Sequence, residues 1–440
     1  MNPLSYLLGR KKNLFIPLGP ESRFFVLLKH LNLYKKMNIQ FVDAIKQHEQ
    51  YFIPIEIPHI ESLADKDVII DQDILDLFHH NPNVNLLYDL SIEAILFSDY
   101  TADVFSQFHH ILKQHRLDPN RIFLLSANAC GQKHYSTWAK ANHLADYQIH
   151  LLGYHFYLYE YFWEIHTCGW MQKKQNILMA SALNTINNGH LRKKHFLCLN
   201  LRPRRHRTAI LLHLLERGYL EKGYVTYFGD DFADHDSVDK INDRIDFIEK
   251  LESKTRLLSS MSQLKKITPL LLDKDASLIR KDLWQRKPGQ VDFLLPENKQ
   301  LSEQGIDTYF EIVTETWFTD NSNLYLTEKT IRPIIRLQPF IHVGSPFLLE
   351  YLRHIGFQTF SPFIDESYDR VIDPIKRMEL LFKEIDRLCQ MSLKDIHAWY
   401  CKLWPRLKHN NDHFNHHMLK YAKKDIRNHV LNRLSGIKGS

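Results

Sequence analysis

The chain has 440 residues, 44% hydrophobic and 25% charged, a balance that excludes a disordered, collagen-like or disulfide-scaffold protein. About two domains are expected at this length. The formal net charge of +6 inclines the protein towards anionic partners, among them sugar nucleotides, acidic glycans, anionic lipid surfaces and nucleic acid, without choosing one.

Short apolar runs alternate with helix-like stretches along the first half. Asn13–Gly19 reads as a strand entering a loop, with a Gly19–Arg23 turn that could shape an acceptor cleft. Phe24–Leu33 reads as a helix and Ile39–Val42 as a second strand. Asp67–Ile70 and Asn85–Asp89 are buried-strand candidates, the latter followed by the polar stretch Leu90–Glu93. Arg121–Ser126 is the clearest strand of this half. A polar linker at about 184–194 separates a second series. It comprises a strand at His195–Asn200, an arginine-rich turn at Arg202–Arg207, a helix at about Thr208–Arg217 stopped by Gly218, and a strand at Tyr224–Phe228 closed by Gly229-Asp230-Asp231. A strand at Tyr309–Thr316 leads to a polar loop, an apolar helix and the strand Pro339–Val343. Amphipathic helices follow, at Asp373–Leu388 and through 392–436. Strands alternating with helices predict parallel sheets with ligands at the carboxyl ends of the strands.

The most informative stretch is 320–344. Tyr325-Leu326-Thr327-Glu328-Lys329 opens the helix, and Thr327 or Ser322 can cap its backbone N–H groups. Glu328 suits the positive end of the helix dipole, but Lys329 does not. A cation at that position is relieved by an anion, and phosphate is the natural one. An acid for ribose hydroxyls beside a base for phosphate fits a nucleotide-activated sugar.

Asn321-Ser322, then Tyr325-x-Thr327-Glu328-Lys329, a helix, and Gln338–Pro346 resemble the donor-binding half of family-10 fucosyltransferases. The segment Leu352-Arg353-His354-Ile355-Gly356-Phe357 is also similar to one in related bacterial and viral glycosyltransferases. The close match covers about 40 residues. Gly344-Ser345-Pro346 replaces the family's Gly-Pro pair, so the donor's identity does not carry over. The resemblance implies that Glu328 holds the nucleotide ribose, that Lys329 meets the diphosphate, and that Tyr325 lies beside the nucleotide. It also implies a setting in bacterial surface-glycan synthesis, capsule or lipopolysaccharide.

Arg202, Arg205, His206 and Arg207 lie between a strand end and a helix start, where guanidinium forks suit a diphosphate; Arg202 and Arg207 are the first choices for phosphate, with His206 nearby. Glu315, at a strand end, is a candidate contact to donor sugar or base, and Asp230 and Asp231 are candidate contacts to ribose or base. The donor-binding set is therefore Arg202, Arg205, His206, Arg207, Glu315, Asn321, Ser322, Tyr325, Thr327, Glu328 and Lys329. Deprotonating an acceptor hydroxyl needs a base; Glu93 is the first candidate, then Asp89 and Glu160. Asp71-Gln72-Asp73 and the run His409, His413, His416, His417 have spacings that could bind metal. The acid pair lies in the first half, away from the phosphate motifs, and the histidines lack a Cys or third-segment ligand and read as a solvated polar face, so neither metal nor cofactor is expected.

The five cysteines are scattered, with no Cys-x-x-Cys pair, which argues for a reducing compartment. No run of 18 apolar residues occurs and Met1–Lys12 is unlike a signal peptide. A cytoplasmic location is expected, with peripheral contact at the inner face of the membrane left open. The expected architecture is α/β and GT-B-like: two Rossmann-like domains facing across a cleft. Residues 1–188 form the acceptor side, 195–390 bind the nucleotide sugar, and a helical tail at 391–440 crosses back. The expected partners are a nucleotide-sugar donor and a glycan or lipid-linked acceptor. The competing readings are a phage-type transferase acting on DNA bases and a non-catalytic nucleotide- or glycan-binding protein.

Overall fold

The computed structural model describes residues 13–15, 27, 39–41, 51–57, 60–91, 100–167, 169–200, 203–227, 241–268, 270, 304–318 and 324–435. Strands β1 (Asn13–Phe15), β2 (Ile39–Phe41) and β3 (Tyr51–Glu56) come first. They are followed by α1 (Lys66–Ile69), α2 (Gln72–His80), β4 (Val84–Leu90), α3 (Tyr100–Gln114), β5 (Ile122–Ser126), α4 (Gly131–Ala141), β6 (His150–Gly153) and α5 (Phe156–Thr167). Helix α6 (Gly169–Asn188) leads into β7 (Lys194–Leu199), α7 (Arg205–Glu216), β8 (Gly223–Thr226), α8 (Ile241–Glu249), α9 (Lys254–Ile267) and β9 (Thr308–Thr314). Then come α10 (Glu328–Ile335), β10 (Phe340–Val343), α11 (Leu348–His354), α12 (Pro374–Gln390) and α13 (Leu393–Ile426). A π-helical turn (Arg427–Leu431) and α14 (Asn432–Ser435) close the described chain.

The chain divides into two compact units: Met1–Trp163 with Asn323–Leu326 and His417–Ser440, and Glu164–Ser322 with Thr327–His416. Each holds one parallel sheet, in the orders β2-β1-β3-β4-β5-β6 and β10-β9-β7-β8. Read from its first strand, each sheet is wound the same way: the second strand lies on one side of the first and the third on the other. The fold is thus α/β, with two Rossmann-like units. Strands β4 and β9 are buried along all seven of their residues. That is why apolar residues stand on both faces of each strand, with Asn85, Asp89, Thr308, Glu311 and Thr314 as buried polar exceptions.

Asp67–Ile70, expected as a buried strand, is instead helical. Asp65 caps α1 by accepting the Asp67 N–H at 2.9 Å, and Asp71 caps α2 through the Asp73 and Ile74 N–H groups. Two caps within seven residues break the chain into short helical turns that no strand could use. The Asp71-x-Asp73 pair is therefore cap chemistry. The sheet position belongs instead to β3, whose Pro54 disguises it. Among the described residues β1 pairs with β3 at Tyr51 and Phe52. The linker expected at 184–194 is shorter, because α6 runs on to Asn188, and α7 begins at Arg205 rather than Thr208. The Phe24–Leu33 helix, apart from Leu27, and the Gly19–Arg23 turn lie outside the described residues.

Two buried cations fasten the second sheet. Arg192, 3% exposed, donates from Nη1 to the Thr308 carbonyl at 2.5 Å and from Nη2 to the Tyr400 hydroxyl at 2.7 Å, joining β9 to α13. Arg336 reaches Glu311 of β9 at 2.9 Å, both side chains being about 5% exposed or less. Burial raises the Glu311 pKa, and Arg336 and Arg332 oppose that rise. Such a pair contributes little relative to an apolar one, but removing one partner leaves a bare buried charge. Arg336→Met should cost about 3–5 kcal/mol in urea unfolding, and adding Glu311→Leu should recover most of it.

Candidate functional site at the carboxyl end of the second sheet

In the second unit the chain leaves β7 and β9 for different helices, and these two strands are neighbours. A crevice opens where adjacent parallel strands feed connections in opposite directions, and ligands of α/β proteins bind there. Helix α7 starts on one side and α10 on the other, with residues 314–318 between them. Asn200, 1% exposed, ties the strand ends together. Its N–H reaches the Thr226 carbonyl at 3.1 Å and its Oδ1 accepts the Thr314 hydroxyl at 2.5 Å.

Glu315 organises the crevice. It is 3% exposed, and its carboxylate accepts the Thr327 hydroxyl at 2.6 Å, the Thr330 hydroxyl at 2.5 Å and the Thr316 N–H at 3.3 Å. Its carbonyl accepts His206 Nε2–H at 2.8 Å and Arg207 Nη2–H at 3.1 Å. One residue thus binds the first turns of both helices to the end of β9. Gly344, next after β10, leaves room for this packing: a Cβ there would lie 2.3 Å from the His342 ring and 3.2 Å from the Glu315 Cβ. His342 is itself 2% exposed, and burial, with help from Arg377, holds its pKa down at about 3.

The arginine-rich turn divides its labour. His206 and Arg207 are buried and spent on the 314–315 backbone. The His206 ring stacks on Phe318 at 5.4 Å, and burial, reinforced by Arg207, lowers its pKa far enough to keep it neutral. Arg205 donates to the Phe318 carbonyl at 3.1 Å and Arg204 lies over the Trp317 ring at 5.2 Å, both half-buried. Helix α7 has no side-chain cap and no acid in its first turn. The positive end of the α7 dipole and the guanidinium groups of 204 and 205 add positive potential at one place. Such frustration is relieved by an anion.

At α10, Thr327 caps the helix by accepting the Lys329 N–H at 3.2 Å. The Lys329 ammonium, 24% exposed, lies 2.7 Å from Glu328 and 3.4 Å from the Thr316 hydroxyl. It therefore turns towards the strand end rather than into solvent, and its partner in the chain is the neighbouring carboxylate. Burial pulls the Glu328 pKa up, but Lys329 and Arg332 outweigh it and hold it at about 2. The pair offers a ready exchange: a phosphate can take the ammonium while Glu328 turns to hydroxyls.

Tyr325 groups with the first unit, where its ring meets Tyr157 edge-on at 6.0 Å and the Leu324 carbonyl accepts the Ala129 N–H at 3.2 Å. Asp89, 2% exposed at the end of β4, accepts the Ser91 N–H at 3.1 Å and its hydroxyl, and that hydroxyl accepts Tyr154 at 2.7 Å. Its carboxylate faces inward. Glu93, Arg202, Asn321, Ser322, Asp230 and Asp231 lie outside the described residues. His409 and His413 bond the Gly356 and Ile355 carbonyls at 3.0 and 2.8 Å, while His416 and His417 are exposed. Among the described residues no group of three His, Cys, Asp or Glu side chains could hold a metal ion, and no helix is long and apolar enough to cross a membrane. Arg204, Trp317 and Thr330 escaped the sequence reading. A fourth arginine in the turn was the only signal for Arg204, and a threonine two residues past Glu328 carries none.

No protein-family model matches the chain, and none of the curated proteins is significantly similar to it.

Replacing Glu315 by Ala strands two buried hydroxyls, so thermal or urea unfolding should report a loss of about 3 kcal/mol or more, against a smaller loss for Glu315→Gln. Because its pKa is depressed when folded, Glu328 adds stability that is full above about pH 5 and declines as the pH falls towards 2. The stability difference between wild type and Glu328→Gln should therefore shrink between about pH 5 and pH 3 in chemical denaturation, with the Gln variant the less acid-sensitive.

Proposed function

We propose that the protein is a glycosyltransferase of GT-B type, taking a sugar from a nucleoside-diphosphate donor bound to its second unit and passing it to a hydroxyl of a glycan or glycoconjugate. The observation that carries this reading is the convergence of the arginine-bearing start of α7 with Lys329 of α10 around residues 314–318 at the reversal point of a parallel sheet. Buried polar anchors hold that convergence in place, so its positive potential is preorganised rather than assembled on binding.

In this reading the diphosphate lies over the first turn of α7. Arg204, Arg205 and Lys329 meet the charge that builds on the departing phosphate as the bond to the sugar breaks. Glu328, released from Lys329, accepts the ribose hydroxyls. Trp317, half-buried beneath Arg204, offers a face for a base or a sugar ring. The resemblance of the 321–346 stretch to fucosyltransferase donor sites supports the same roles for Glu328 and Lys329. By that resemblance the acceptor belongs to surface-glycan synthesis.

Calorimetric titration with a panel of UDP-, GDP- and dTDP-linked sugars tests the proposal. One donor should bind, and Lys329→Ala or Arg205→Ala should each weaken it by about 1.5–3 kcal/mol, the range of a charge-assisted contact. Binding that ignores both substitutions would remove the phosphate site. A wild-type protein that binds no donor in the panel would overturn the reading, and binding without transfer or hydrolysis would favour a non-catalytic sugar-nucleotide-binding protein.

A further inference from the structure

The outer side of the tail helix in the first unit carries cations that the donor crevice does not use. Between His417 and Leu434 stand Lys420, Lys423, Lys424, Arg427 and Arg433, against a single acid, Asp425. Asp425 is 5% exposed and is spent inward: its carboxylate accepts the Tyr159 hydroxyl and lies 2.5 Å from His429 Nδ1. Lys420, Lys424, Arg427 and Arg433 are exposed, as are His417 and His429. The opposite side is apolar and closed, with Met418, Ala422, Ile426 and Val430 fully buried. The amphipathic pattern thus uses its apolar half in the unit's own core and leaves a cationic half outside.

Two ordinary uses of such cations do not account for them. Basic side chains complement a helix dipole only within the last turn, and the helical path continues through the π turn to Ser435, several turns beyond Lys420 and Lys424. Nor are they matched by acids. Among the described residues Lys420, Lys424, Arg427 and Arg433 make no ion pair, whereas Lys408, earlier on the same helix, meets Asp412 at 2.6 Å. Lys420 and Lys424 stand four residues apart on one face, where like charges repel. One acid borders the face: Asp118, after α3, acts on the same His150 ring as Arg433. The excess positive charge therefore centres on Lys420, Lys424 and Arg427.

We propose that this face docks the protein on an anionic phospholipid surface. The cations at 420, 424 and 427 recur at helical spacing on one side, so they meet a plane together. Contact is electrostatic and without insertion, because the helix has no apolar side left to bury among acyl chains. Each lysine or arginine held near such a surface strengthens binding roughly fivefold. A nucleic acid fits this face less well. A helix reads a duplex by entering its groove, which the packed side of α13 prevents. Single strands need rings between the cations for stacking, and no aromatic side chain is fully exposed between 417 and 434. Docking of this kind is independent of the donor crevice, so it stands or falls apart from the transferase reading.

The test is co-sedimentation of the full chain with vesicles of phosphatidylcholine alone and of phosphatidylcholine mixed with about one third phosphatidylglycerol. The wild type should sediment with the anionic vesicles at about 0.1 M salt, be released as salt is raised, and ignore the neutral ones. Lys420→Ala with Lys424→Ala should weaken partitioning by about 30-fold, and adding Arg427→Ala by about fivefold more. The double Lys→Arg variant should retain binding, and Lys408→Ala, which removes a matched cation, should leave it within twofold. Circular dichroism and thermal melting of these surface variants should match wild type. Equal binding to both vesicles, binding to neither, or a double Ala variant that partitions like wild type overturns the proposal. Tighter binding to a duplex or single-stranded oligonucleotide than to the anionic vesicles, lost in the same variants, overturns it in favour of a nucleic-acid surface.

Discussion

The second unit depends on one carboxylate that never reaches solvent. Glu315 collects two threonine hydroxyls from α10 on its side chain and an imidazole and a guanidinium from α7 on its carbonyl. A bare carboxylate in such a place is prohibitive; one that accepts three hydrogen bonds is a joint. The first turns of both helices are held at the end of β9 because one is bonded to the side chain of this residue and the other to its carbonyl.

This arrangement separates two jobs that share the arginine-rich turn. Arg207 and His206 hold backbone carbonyls and are lost to solvent, whereas Arg204 and Arg205 stay half-buried near the start of α7. A single lysine or arginine could not do both, because a guanidinium buried against carbonyls has no fork left for a ligand. The number of arginines, excessive for one diphosphate, follows from that division.

Elements defined by local composition were legible in the sequence. Strands β4, β5, β7 and β9 follow from apolar runs that fit burial on both faces, and α12 from its periodicity. Where a residue's role is set by a distant partner, sequence was silent. Glu315 is visible as an acid at a strand end, but the threonines that enclose it lie 12 and 15 residues further on. Asp67–Ile70 has strand composition yet helical structure because two aspartates close the local N–H groups first. Lys329 was read as needing an outside anion; in the structure the adjacent Glu328 supplies one. For Asp425 and His429 the spacing of four was in plain view, but that one would be buried and the other exposed depended on α5 and the tyrosine it presents.

Gly344 carries a historical consequence. Any side chain there would strike the His342 ring, which is itself 2% exposed and so has little room to retreat. A lineage can therefore change position 344 only after a smaller residue has replaced His342. The order of the two substitutions is constrained, and a descendant carrying alanine at 344 should hold a record of the earlier change two residues upstream.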